Sequence, residues 1–581
     1  MRPEDKEKVL ALVKERVLVS ILGDAELEDR NVDQRVESIL GETIFLEMER
    51  LEHETDKASR RRLAELVEQR RKLFKLSAWG RRKMLASFVE EFSTEVLGHW
   101  DNRVYRFATK VLPVTLSTLL NAMSPGRFLR SLPELPNIDD RVVLDGDVEL
   151  VRSLYDHGNI VYAPTHLSNL DSIILGYGLY ANGFPPVTYG AGINLFANPM
   201  LSFFMHRLGA YKVDRKKKNS LYKQVLKEYA TATIELGYPN LFFPGGTRSR
   251  SGAVEEKLKL GLLGCGLVAY INNLQQGRPR PKVFIVPVNL SYQHTLEAEN
   301  LIEDFLKEEG KSRSIITDDE FQRPGRIYDF VQSIFELDAK IYMTFGAPHD
   351  CFGNKVDGEG RSRDKRGRLI DPERYTWDRD GKPVHRPQRD AQYTREVGQI
   401  LVREYKRCNT IMSTHLLAFT VFHMLRARHV GGDIYRFIRE ARIDEHGLAL
   451  IEVERALERL ITELRAREAR DEIRLDPPLR TSTPHELLQN GLRDLAQYHT
   501  RAVVERRGDR LFVTQAKLLY YYRNRLQNYG LEPVVEDGPE AGDAASEGPS
   551  SAATTTEETT DATTDAPASE ASPSQQKESS E

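Results

Sequence analysis

The chain has 581 residues, 40% hydrophobic and 29% charged, a balance that suits two or three soluble domains with at least one large core. Its three cysteines, Cys265, Cys351 and Cys408, are far apart and odd in number, which argues against a disulfide framework and for a reducing compartment; no C-x-x-C or H-E-x-x-H spacing points to zinc. The net charge of −4 hides an asymmetry: residues 536–581 hold twelve acidic residues and one lysine, so residues 1–535 carry +7, which suits anionic substrates or an anionic membrane face but is too weak to imply nucleic acid.

The first residues, MRPEDKEKVLALVKERV, are charged throughout and lack the apolar core of a signal peptide, and nowhere does an apolar run reach the ~18 residues a spanning helix needs. Residues 1–136 read as an N-terminal helical region. From Asn31 to Trp79, Glu, Arg and Leu recur at three-and-four spacing, which predicts a solvated helical hairpin packed on the rest. FATKVLPVTLSTLLNAMSPGRFL, residues 107–129, is more apolar and reads either as a core helix or as a helix lying in a membrane interface.

From residue 137 to 349, short β-rich runs alternate with helical ones. Strands are expected at 159–165, 186–192, 210–215, 240–246, 282–292 and 340–347, with helices near 169–181, 220–236 and 257–273. This alternation predicts an α/β domain whose mostly parallel central sheet is covered by helices. Residues 350–391 are polar and rich in Gly and Pro, and read as a long irregular insertion in which RDGK is a candidate hairpin turn; no internal repeat is apparent. Residues 392–530 return to helix as a C-terminal helical region, with LLAFTVFHML (416–425) its most apolar stretch. After 536 no Val, Leu, Ile, Met or aromatic occurs, which predicts a disordered acidic tail.

Three loops at expected strand ends carry polar chemistry, where open parallel sheets bind ligands. In APTHLSNLDSIIL (163–175), His166 is a candidate general base with Asp171 to orient it; equally, Ser168 and Asp171 fit a helix-capping box. FPGGTRSRSG (243–252) offers backbone amides at Gly245 and Gly246, hydroxyls from Thr247 and Ser249, and phosphate-matching forks from Arg248 and Arg250. It lacks the G-K-[ST] of a Walker loop and the G-x-S-x-G of a hydrolase elbow. In GAYKVDRKKKN (209–219), Arg215 stands at a strand end before three lysines. KLGLLGCG (259–266) reads as close helix packing.

In this order the blocks resemble the glycerolipid acyltransferase superfamily, and most closely its glycerol-3-phosphate and dihydroxyacetone-phosphate acyltransferase branch, over roughly residues 100–425. HLSNLD matches H-x-x-x-x-D, AGINL (191–195) matches an element ahead of block two, GAYKVDR matches block two, FPGGTRSR block three and IVPVNLSY (285–292) block four. The resemblance implies that His166 removes the proton from an acceptor hydroxyl that attacks an acyl thioester directly, that Asp171 orients His166, and that Arg215, Arg248 and Arg250 hold the acceptor's phosphate. It implies no cofactor or metal, acyl-CoA or acyl carrier protein as donor, glycerol 3-phosphate as acceptor, lysophosphatidate as product, no nucleic acid, and a peripheral place on the cytoplasmic face of a membrane. Lysophosphatidate, dihydroxyacetone phosphate or another acceptor, or a non-catalytic membrane-surface protein of the same fold, are the alternatives. Two positions depart from the pattern: Gly245 replaces the glutamate of block three, and Asp214 precedes Arg215 where the branch often has paired arginines.

Overall fold

The alternating runs after residue 137 form one sheet in a computed structural model that describes residues 2–23, 29–107, 141–196, 199–309, 339–428, 433–440, 446–497, 499 and 501–536. Its strands are β1 (Val142–Gly146), β2 (Gly158–Pro164), β3 (Thr188–Gly192), β4 (Ala210–Val213), β5 (Asn240–Leu241), β6 (Lys282–Tyr292) and β7 (Ile341–Phe345). Across the sheet β6, β2, β5, β3 and β4 follow one another with every neighbouring pair parallel, while β7 lies antiparallel to β6 and parallel to β1. Helices Asp171–Ala181, Ser220–Glu235 and Gly264–Gln275 make the crossovers, as the alternation predicts. The strands are mostly shorter than expected. β5 stops at Leu241 because Pro244 and the Gly245–Gly246 turn take the chain out of the ladder. Helix Gly264–Gln275 starts later than expected, and its Gly266 brings the backbone so near β6 that a Cβ there would lie 3.2 Å from Ile285.

One register detail builds the site. Pro164, the last residue of β2, pairs with Val288, so β6 runs four residues further in the same direction, about 13 Å at strand rise. Asn289–Tyr292 therefore lie beside the loop that follows β2, and Leu290 N–H donates to Thr165 Oγ1 at 2.9 Å.

The N-terminal region is helical as expected. Helices Arg30–Glu52 and Lys57–Leu73 form the hairpin, each capped by an aspartate (Asp29, Asp56) that accepts two backbone N–H groups. Val32, Val36, Leu40, Ile44 and Leu51 make the buried stripe of the first. Helix Pro3–Leu22 is tied to the crossover helix by Arg16, whose two terminal nitrogens each lie 2.7 Å from the buried Glu235 carboxylate. Residues 108–129, read as a core or interfacial helix, lie outside the described residues, as does the acidic tail from 537.

The insertion is not irregular. It is a run of seven-residue units, DCFGNKV, DGEGRSR, DKRGRLI, DPERYTW and DRDGKPV, spanning 350–384. In the first, second, third and fifth units the leading aspartate (Asp350, Asp357, Asp364, Asp378) accepts the N–H groups two and four residues on with Oδ1. The fourth residue of each is a glycine at positive φ, between 65° and 87°. The resulting turns join two-residue strands β8 (His349–Asp350), β9 (Lys355–Val356), β10 (Ser362–Arg363) and β11 (Leu369–Ile370), which extend the sheet antiparallel beyond β6. The fourth unit has Arg374 in place of the glycine and folds instead as a short 3₁₀ turn, Pro372–Thr376. The repeat escapes a reading by hydrophobic period because its constant positions are polar turn residues. RDGK is a hairpin turn, closed by the Trp377–Pro383 bridge.

Beyond it, helix Ser413–Arg428, which contains LLAFTVFHML, is buried on nearly all sides among helices Leu450–Ala469, Pro484–Gln497 and Ala516–Arg523. This region also holds a small antiparallel sheet of Leu448–Ala449, Val504–Arg507 and Arg510–Val513 that helical expectation missed. Among the described residues no helix is long and apolar enough to cross a membrane.

Candidate active site

The loop after β2 holds its histidine from four directions. His166 Nδ1 lies 2.7 Å from Asp171 Oδ2, its N–H donates to Glu255 Oε1 at 2.9 Å, its carbonyl accepts from Ser249 N–H at 2.7 Å, and its ring stacks on Phe243 at 4.2 Å between centroids. With Nδ1 engaged by a carboxylate, Nε2 is the nitrogen left for a substrate proton. Only 12% of the side chain is exposed. Burial lowers the imidazole pKa; the Asp171 contact opposes this, and Arg248 and Arg215 add to the lowering. Neutral histidine, the form a general base needs, is thereby favoured.

Asp171 is fully buried and intensely solvated by protein. Oδ2 also accepts the N–H groups of Leu167 (2.7 Å) and Ser168 (3.0 Å), and Oδ1 accepts Tyr292 O–H at 2.6 Å. The Ser168 N–H contact is one half of a capping box. The other half is absent: the helix begins at Asp171 itself, and Ser168 Oγ accepts Leu170 N–H and donates to Glu297. The His166 contact and helix capping thus share one carboxylate.

Glu297, five residues past β6, gathers the rest of the loop. Its carboxyl takes Ser168 Oγ (2.8 Å), Asn169 N–H (3.0 Å) and Arg248 Nη1 (3.2 Å), and burial pushes its pKa up to about 7. Arg215 has no counter-ion among the described residues; burial and the nearby Arg248 lower its pKa. Asp214 is a turn residue beneath it, its Oδ1 accepting Lys216 N–H. Of the lysines that follow, Lys217 is buried against Phe92 and Tyr222 and pairs with Glu95, so it supports the fold. Two of the three predicted arginines, Arg215 and Arg248, therefore share the field of His166. Arg250 instead pairs with Glu308 at 2.5 Å.

In the block-three loop, Gly246 makes the turn at φ 76° with its N–H on Phe243 O. Thr247 is exposed. Ser249 gives its N–H to His166 and its hydroxyl to Ala253 O, so it closes the loop. The C-terminal region buttresses the far side: Asn524 donates to Ser251 O at 2.8 Å. Arg525, fully buried, binds Asn289, Leu290, Ser291 and Asn409, and burial lowers its pKa to about 10. Tyr292, Glu255, Glu297 and Arg525 are the residues sequence reasoning did not place here. Tyr292 alone had a signal, as the aromatic closing block four.

Residues 147–291, which contain the His166, Arg215 and Arg248 loops, match the family model described as Acyltransferase. The chain thus carries an acyltransferase domain. Within that class it is similar to proteins named glycerol-3-phosphate acyltransferase. It is 25% identical over 281 residues to the one from Pseudomonas putida KT2440, covering 48% of this chain and 30% of that protein. It is 33% identical over 204 residues to that of Pasteurella multocida (35% and 23% covered) and 39% identical over 155 residues to that of Haemophilus ducreyi (26% and 18% covered). The matched stretch thus spans less than a third of these relatives' length. The family resemblance read from the four blocks is borne out.

Proposed function

We propose that the protein transfers an acyl group from an acyl thioester, acyl-CoA or acyl carrier protein, to the hydroxyl of glycerol 3-phosphate, giving lysophosphatidate at a membrane surface. The observation that carries this is the His166–Asp171 pair in the field of Arg215, with neither Nε2 nor Arg215 partnered among the described residues. Nε2 takes the hydroxyl proton as the oxygen attacks the thioester carbonyl; the tetrahedral intermediate collapses with loss of the thiolate, and the imidazolium returns the proton to it. Asp171, fixed by four hydrogen bonds, stabilises the imidazolium without moving. Arg215 and Arg248 take the acceptor's phosphate. When that dianion docks, the positive field that lowers the His166 pKa is neutralised, so the base strengthens as the substrate arrives.

The basic body beneath an anionic leaflet supports a peripheral membrane location. The test is thiol release from acyl-CoA and from acyl carrier protein with glycerol 3-phosphate, dihydroxyacetone phosphate and lysophosphatidate as acceptors, for wild type and His166→Ala. A positioned base contributes about 10²–10⁴-fold, and a drop of that size with glycerol 3-phosphate is expected. Wild-type turnover no greater than the variant's with every acceptor would sink the reading.

A further inference from the structure

Gly245 stands where block three of the family has a carboxylate, and the space beside it is not empty. A Cβ built on Gly245 would lie 2.5 Å from Glu255 Oε2, 2.6 Å from Cδ and 2.7 Å from Oε1. The carboxyl group of a residue ten positions down the chain thus fills the place from which a side chain at 245 would start. A Cβ is accommodated there only if the Glu255 carboxyl shifts, so glycine at 245 leaves the room that this carboxyl occupies. The placement also has a use. Oε1 accepts the His166 N–H, while Oε2 is out of solvent and has no hydrogen-bond partner among the described residues. A carboxylate buried at such cost, held in a loop whose next contact is the catalytic histidine's own backbone, is not explained by packing alone.

We infer that Glu255 is a positioning residue of the acyl-transfer site, supplying from a different point in the chain the carboxylate that Gly245 lacks. This rests on the proposed acyl transfer. Glu255 acts through the backbone of His166. Its Oε1 and the Ser249 N–H grip the two sides of that one residue, and Phe243 backs the ring. With the peptide pinned, the imidazole has one orientation in which Nδ1 meets Asp171 and Nε2 faces the acceptor. The burial-raised pKa of Glu255, about 8, accords with this: accepting an N–H requires a lone pair on Oε1, which both the ionised and the neutral carboxyl retain. Gly245 is then an exchange of position and not a loss of function.

The test is steady-state kinetics on four purified full-length variants, with whichever acceptor the wild type turns over. Glu255→Gln keeps an oxygen for the His166 N–H and is expected to retain kcat within about fivefold. Glu255→Ala leaves that N–H unpaired and should lower kcat by about ten- to a hundredfold, the range set by one hydrogen bond to a buried group, with KM for acceptor and donor unchanged. Gly245→Glu alone sets two carboxyl groups on one spot and should be at least as impaired. The double variant Gly245→Glu/Glu255→Ala restores the family arrangement and should recover at least tenfold over Glu255→Ala. Equal kcat in wild type and Glu255→Ala, a rise in acceptor KM at constant kcat, or a double variant that folds (by circular dichroism and melting) yet stays as low as the worse single would each overturn the inference. Those results leave wild-type turnover intact, whereas failure of the acyl-transfer reading shows as a wild type with no turnover at all.

Discussion

Tyr292→Phe isolates a single contact beneath the proposed base, His166. The ring stays in a fully packed place, and only the hydroxyl that donates to Asp171 Oδ1 at 2.6 Å is lost. Of the four hydrogen bonds drawn by the Asp171 carboxylate, three fall on Oδ2 and this one on Oδ1, so the variant leaves a buried oxygen bare. A hydrogen bond to a charged group is worth about 1.5–3 kcal/mol. Because 1.36 kcal/mol corresponds to one pKa unit, a large part of that loss transmitted to the pair would raise the His166 pKa by up to about one unit. The sign follows from charge: a carboxylate stripped of a donor binds the imidazolium more tightly. The base must be unprotonated, so the acid limb of kcat/KM, which reports the free enzyme, should move to higher pH by up to about one unit, with kcat on the plateau reduced less than about tenfold. Bare burial also costs stability; at ~2 cal/mol/K of unfolding entropy per residue, a chain of this length should melt only about 2 °C lower. An acid limb that stays put or moves to lower pH would refute the assignment of Tyr292 to the Asp171 pair.

The remaining predictions concern the arginines and the tail. Arg215→Ala should raise KM for a phosphorylated acceptor about ten- to a hundredfold, one charge-assisted contact's worth, whereas Arg250→Ala, which breaks a partly exposed pair with Glu308, should change it less than about threefold; equal effects would contradict the division of roles. A chain ending at Glu536 loses eleven acidic residues and one lysine but keeps the Glu536 contact to His423. It should bind anionic vesicles more tightly at low salt, measured by co-sedimentation, and unchanged or weaker binding would reject an electrostatic role for the tail.

Much of the site was legible because its groups sit in short loops next to recognisable elements. His166 to Asp171 needs only five residues of spacing and a helix start, and Arg215 and Arg248 announce themselves as forked cations after strands. What was not legible depends on distance along the chain. Glu255 lies 89 residues from His166, Glu297 129 from Ser168 and Tyr292 121 from Asp171. A glutamate in a polar loop or after a strand carries no local mark of burial, and the Arg250 forks look identical to those of Arg248 until Glu308 is seen beside one of them. The repeat in 350–384 escapes a reading of apolar periodicity for a different reason: its period is written in Asp and Gly, which signal turns, and not in apolar residues.

By itself the sequence determined the class of fold, since strand and helix alternation admits few ways to bury both faces of a sheet, and it marked the polar loops that meet around His166. The tertiary structure decided which groups act together. The four-residue overrun of β6 past β2 sets Tyr292 and Glu297 against the HLSNLD loop, and the chain's return after Gly245 brings Glu255 to the backbone of His166. Register and loop path are global properties, set by the packing of the whole sheet, so no local pattern in the chain could have stated them.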